Sequence, residues 1–270
     1  MARDGAAGDG FGDHTLWIFL GLAFGLTWGL AALLALFTAE VEAIFGPVSY
    51  TNPLFVLAVY SPAFSAVGLV AWKTGLRGLG RFFRRLLLWR MPWQGWAVLV
   101  VGMPAAVYFG AAIKGTAGEM PAFSPWYAAL PALATALAIG PVEELGWRGL
   151  ALPLLQRRLA PLWAGLVLGV VWALWHLPAF ALSGTPQSEW SFASFFVGVV
   201  ALSVVITAVF NASGGSVLVA ALAHFQANNP LWPDAQPWDA LGYVLLAAAV
   251  VALDRRSMLG RDGGAREVLG

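Results

Sequence analysis

Eight apolar runs divide the chain, near residues 15–38, 53–72, 94–113, 125–145, 162–182, 192–211, 215–229 and 238–253. A hydrocarbon core about 30 Å thick is crossed by an α-helix of about 20 apolar residues. Inside lipid every backbone N–H and C=O must be satisfied within the segment, so such runs fold as helices. The sequence therefore predicts an all-α, polytopic membrane protein with about eight transmembrane helices. Charge supports this. Only 11% of the 270 residues are charged, against about 25% in a soluble domain, too few to cover a soluble surface. The same scarcity excludes a disordered chain and a nucleic-acid binder driven by basic density. Cysteine is absent, which excludes disulfides and thiolate metal sites.

Eight spans place both termini on one side, and the basic residues say which. Arg3, the loop from Lys73 to Arg90, the Arg148, Arg157 and Arg158 group, and Arg255, Arg256, Arg261 and Arg266 all fall on the same face. That is 14 of the 15 Lys and Arg residues, with Lys114 alone opposite. By the positive-inside rule this face is cytoplasmic. The expected layout is a cytoplasmic tail over 1–14, a membrane domain over 15–253 and a cytoplasmic tail over 254–270, in the cell membrane. The N-terminus lacks the basic start of a signal peptide, so the first span is expected to be retained. The segment from Gly78 to Trp93 reads as a short interfacial helix, with Arg81, Arg84 and Arg85 on one face and Phe82, Leu86 and Trp89 on another. It is expected to act as an anchor. Gly21, Gly25 and Gly29, with Gly165 and Gly169, predict close helix contacts. No internal repeat is apparent, which disfavours inverted-repeat transporters.

An ionisable group inside a span costs about 2.5–3.5 kcal/mol on insertion scales, so each asks for a reason. Outside loops and tails these are Glu143, Glu144, Arg148, His176 and His224, with Asn228 beside the last. Glu144 and Arg148 are four apart, ~40° on a helix, and predict an ion pair. Glu143 lies ~140° from Arg148 on the same wheel and is aimed elsewhere. His224 and Asn228 also share one face. If the fourth helix continues through a kink at Pro141, then Glu143, His176 and His224 all lie roughly 13–23 Å below the cytoplasmic helix ends.

A carboxylate, two imidazoles and an amide at one level can hydrolyse a peptide bond in two ways. Glu143 and His176 can hold and deprotonate a water while His224 and Asn228 donate to the oxyanion. Alternatively, Glu143, His176 and His224 can bind zinc, leaving a fourth position for water. HExxH is absent, and the residues leave both routes open.

Three segments carry a family resemblance: Glu143-Glu144-Leu-Gly-Trp-Arg148-Gly, Trp172-Ala-Leu-Trp-His176-Leu-Pro and His224-Phe-Gln-Ala-Asn228. They resemble the three motifs of the CPBP family, EExxxR, an aromatic followed four residues later by His, and HxxxN or HxxxD. The family comprises type II CAAX prenyl endopeptidases and bacterial Abi proteins linked to bacteriocin processing and self-immunity. The resemblance spans about residues 73–229, the expected protease core. It implies an intramembrane endopeptidase with Glu143, His176, His224 and Asn228 as active site and Glu144 and Arg148 in support, while the Ala-, Gly- and Trp-rich composition looks bacterial. The implied partners are the lipid bilayer and a membrane-associated, in one branch lipidated, peptide. It further implies a site opening toward the cytoplasm. Both a metal-dependent and a metal-free glutamate mechanism are proposed for the family. The metal-free one is preferred here, with no cofactor required, because Asn228 suits an oxyanion hole better than a metal shell. Trp172 stands where the family most often has Phe, an exchange expected to reshape the cavity. A non-catalytic immunity or scaffold protein is the alternative reading.

Overall fold

In the computed structural model, which describes residues 10–119 and 121–270, no strand occurs among the described residues. Arg3 and most of the expected N-terminal tail lie outside them. The chain opens with α1 (Asp13–Leu36), α2 (Thr38–Phe45) and α3 (Pro53–Arg84), and α4 follows as Trp93–Lys114 with a π-helical stretch at Val98–Gly102. Next come α5 (Ala129–Ala138) and α6, a composite of short helical pieces over 141–156. The last elements are α7 (Pro161–Trp175), α8 (Phe192–Ala212), α9 (Val217–Ala227), α10 (Asp239–Leu253) and α11 (Arg255–Leu259).

Among the described residues six helical segments are long and apolar enough to cross a membrane, which makes this a polytopic membrane protein. The two remaining expected spans, α9 and α10, have 11 and 15 residues. At 1.5 Å per residue they reach about 16 and 22 Å, short of a core about 30 Å thick.

The bundle is organised around α8, which packs against α7 on one side and α10 on the other, while α10 continues onto α4. α1 and α3 form a second pair, joined to the rest through α6. Small residues set the spacing. A Cβ at Gly169 would fall 2.8 Å from Val200 Cα, and one at Gly165 2.9 Å from the Thr207 hydroxyl. These two glycines make the close contacts the sequence predicts. Gly21, Gly25 and Gly29 do not: nothing lies within 4 Å of a Cβ at any of them. The inner face of α1 is instead Phe19, Ala23, Thr27, Ala31 and Leu34. Two residues off is about 200° around the helix, so the glycine row faces outward.

Two further expectations are corrected here. The kink at Pro141 is a full break one step earlier: Gly140 adopts φ 77° and the helix restarts at Pro141. Proline is favoured at a helix start because its missing N–H has no intrahelical acceptor there anyway. The basic segment does not form a separate interfacial helix with Arg85 in water. It extends α3 beyond a break at Gly75, and both Phe82 and Arg85 turn inward. Arg85 is 2% exposed. Its Nη1 donates to Gly149 O (2.6 Å) and Val268 O (3.0 Å), its Nε to Gly215 O (3.0 Å) and its Nη2 to Arg148 O (3.3 Å).

The hydrogen bonds sort the connecting segments into two faces. On the basic face Arg158 pairs with Asp13, Arg157 donates to Phe11 O and Arg266 O, and Gln156 bridges Asn211 and Ala265. The C-terminal segment is packed onto this face rather than solvated, with Val268 and Leu269 buried. On the other face Lys114 pairs with Asp234 at 2.6 Å, and Gly184 lies against Val48 O.

Candidate active site

Glu143 closes a single 3₁₀ turn, Pro141–Glu143, that packs against α9. Its position follows from the Gly140–Pro141 restart, which aims the first turn of α6 into the bundle. The carboxylate is 3% exposed. Trp172 Nε1 donates to its Oε2 at 2.8 Å and Trp147 Nε1 donates to the same oxygen at 3.3 Å. Charge-assisted bonds of this kind fix an otherwise mobile carboxylate.

Glu144, one residue on, points the other way. Its Oε1 receives Arg148 Nη1 at 3.0 Å, the ion pair expected from the four-residue spacing, with both side chains fully buried. The same oxygen accepts from His224 Nδ1 at 2.8 Å. Arg148 is anchored further by Ser203 Oγ at 2.9 Å and lies over the Trp172 ring at 4.7 Å. A row Ser203–Arg148–Glu144–His224 thus reaches from α8 through α6 to α9.

His176 caps the C-terminal end of α7. Its Nδ1 lies 2.8 Å from Trp172 O. A carbonyl oxygen only accepts, so Nδ1 carries the proton and, in the neutral ring, Nε2 keeps its lone pair. Trp175 and Phe195 meet the ring edge to face, with centroids at 4.7 and 5.1 Å, and fix its plane. Asn228 caps α9. A Cβ at Gly140 would come within 2.6 Å of Asn228 Nδ2 and 3.1 Å of His224 Nε2. Glycine is therefore required at 140 twice over, by its positive φ and by this close approach.

Glu143, Trp172, His176, His224 and Asn228 line one cavity of about 730 Å³, within the range of about 300–1,000 Å³ found for ligand pockets. Glu144 and Arg148 stand behind it. Trp172 does more than reshape the space, because a Phe has no N–H to give Glu143. Sequence reasoning missed Gly140, Trp147 and Ser203. The Gly-Pro pair directly before the two glutamates was the available signal for the first. The indole and hydroxyl donors had none, since their partners are set by packing.

Among the described residues no group of three His, Asp or Glu side chains is placed to hold a metal ion. Of the donors expected for zinc, His224 Nδ1 is taken by Glu144, His176 Nδ1 by Trp172 O and Glu143 Oε2 by two indoles, which leaves His224 Nε2, His176 Nε2 and Glu143 Oε1 facing the reaction. No step below is routed through a metal.

A buried carboxylate and two imidazoles thus line one cavity among apolar helices. Comparison with known proteins narrows this. The family model described as type II CAAX prenyl endopeptidase Rce1-like matches residues 125–229, the segment that builds the site. A CAAX prenyl protease 2 of Methanococcus maripaludis is 28% identical over 145 residues. That match covers 50% of this chain and 54% of the archaeal protein, so the chain spans about half the length of this relative.

Proposed function

We propose that the protein is an intramembrane endopeptidase that hydrolyses membrane-associated peptides, with Glu143 and His176 activating water and His224 and Asn228 stabilising the oxyanion. One observation carries the reading. Glu143 is a buried carboxylate held by two indole N–H groups in the same cavity as His176, His224 and Asn228. A structural ion pair would not leave it there, because the adjacent Arg148 is already paired with Glu144.

In this reading Glu143 takes a proton from a water also held by His176 Nε2, and the water oxygen attacks the peptide carbonyl carbon. The oxyanion forms toward His224 and Asn228. For His224 Nε2 to donate, the ring carries both protons and faces Glu144 across the 2.8 Å contact. The proton on Glu143 then passes to the departing amine as the C–N bond breaks. The relative's name points to prenylated C-terminal peptides, so a farnesylated peptide and its unmodified counterpart are the first substrates to compare. The metal-free form is preferred because Asn228, one turn after His224, suits an oxyanion hole better than a metal shell. The expected orientation, with the basic face and both termini in the cytoplasm, comes from the positive-inside rule and is independent of the chemistry.

The test is a cleavage assay in detergent with quenched fluorogenic peptides. The expected result is cleavage by the native chain, unchanged by prolonged chelation, and its loss in Glu143→Gln. Chelator-sensitive cleavage restored by added zinc would contradict the metal-free form. Equal rates for Glu143→Gln and the native chain would contradict the endopeptidase reading itself.

A further inference from the structure

The walls of the cavity tell from which side it is filled. They include Tyr50, Gln187, Trp190, Pro230 and Asp239. These residues come from the segments at 46–52, 182–191 and 228–239, all on the face opposite the basic one. Residues 73–93, 146–161, 211–217 and 254–270, which make up the basic face, contribute none to the lining.

Depth agrees. His176 and Asn228 are the C-caps of α7 and α9, and both helices run away from the basic face, α7 for about 22 Å and α9 for about 16 Å. Glu143 is 13 residues from Gln156, the basic end of α6, which is about 20 Å along a helix. In a core about 30 Å thick, that leaves the site closer to the opposite surface. Between the site and the basic face lie Trp147, Arg148, Phe82 and Arg85, each almost or fully buried. The packed C-terminal segment closes the floor behind them through Val268 O on Arg85.

Combining these facts with the positive-inside rule, we propose that the cavity receives its peptide from the non-cytoplasmic side of the membrane. This rests on the endopeptidase reading for the identity of the guest, though not for the sidedness. A cytoplasmic opening follows from the family resemblance and from depth measured from one helix end. Measured against the full thickness, Glu143 and His176, about 20 and 22 Å from the basic helix ends, lie nearer the other surface. The three mouth segments carry Glu189, Asp234 and Asp239 and no Lys or Arg, so the entrance suits neutral or basic peptide and repels acidic peptide.

The native chain has no cysteine, so single cysteines report sidedness without background. Glu189→Cys marks the mouth and Arg256→Cys the basic face, both at exposed positions. A membrane-impermeant maleimide is applied to intact cells and to inverted vesicles. Expected is labelling of Glu189→Cys in intact cells and of Arg256→Cys only in inverted vesicles. The reverse pattern, or both positions reached from one side, overturns the proposal. A quenched peptide that cannot cross the bilayer is then added outside right-side-out or inverted vesicles. Cleavage confined to right-side-out vesicles supports entry at the mouth, and cleavage confined to inverted ones overturns it. If neither preparation cleaves while the labels fall as expected, the endopeptidase reading fails and the sidedness of the cavity stands.

Discussion

Arg85 and Glu143 are both ionisable groups buried in the same bundle, and they are treated in opposite ways. Arg85 is given four carbonyl oxygens drawn from three distant parts of the chain, Arg148 and Gly149, Gly215 and Val268. It does not line the cavity that holds Glu143, and it ties the basic loop, α6 and the C-terminal segment into one plug. Glu143 is given two neutral indole donors on one oxygen, and it faces a cavity. A buried charge saturated by protein groups stabilises a fold. A buried charge oriented from one side and open on the other is available for chemistry. Glu144 stands closer to Arg85, its Oε1 shared between Arg148 and His224, although its buried Oε2 has no hydrogen-bond partner.

The contrast can be broken by substitution. The largest effect is expected for Glu144→Ala, which strands Arg148 without a counter-charge inside the bundle. Removing one partner of a buried pair costs about 3–5 kcal/mol, so thermal unfolding in detergent should show a steep loss of melting temperature or no folded protein. Next comes Arg85→Ala, expected to cost about 3 kcal/mol because bonds to a charged donor are worth about 1.5–3 kcal/mol. Cleavage per folded molecule should stay close to native there. A matching fall in cleavage at unchanged stability would move Arg85 out of the structural class. Trp172→Phe should sharpen the other side of the comparison. It removes one N–H from Glu143 while keeping the ring, and kcat should fall about tenfold with little change in KM, the equivalent of about 1.4 kcal/mol. The smallest effect is expected at Gly25→Ala, whose Cβ meets nothing within 4 Å. Its stability should stay within about 0.5 kcal/mol of native, whereas Gly169→Ala, facing Val200 at 2.8 Å, should be clearly destabilised.

How far the sequence reaches can be seen at these same residues. The ion pair of Glu144 with Arg148, the separate aim of Glu143 and the shared face of His224 and Asn228 were legible, because all depend on helical spacing within one segment. Long apolar runs were legible for the same reason: the hydrocarbon core imposes length and periodicity locally. What depended on distant partners was not. Arg85 reads as one more positive-inside residue, and its four acceptors are backbone oxygens that leave no trace in residue identity. Gly21, Gly25 and Gly29 have the spacing of a packing stripe, yet Ala23, Thr27 and Ala31 on the opposite face do the packing. The break before α6 was assigned to Pro141 because proline is the stronger breaker in sequence. In three dimensions Gly140 makes the turn, and the proline starts the next helix.

The most direct test measures cleavage rate and melting temperature on one preparation of Glu143→Gln beside the native chain. Glutamine keeps the shape and still accepts from both indoles, so the melting temperature is expected to stay within a few degrees, while proton transfer worth about 10²–10⁴-fold in rate is lost. A variant that melts as the native chain does and cleaves as fast would contradict the assignment of Glu143 to chemistry. A variant that loses folding and cleavage together would place Glu143 with Arg85.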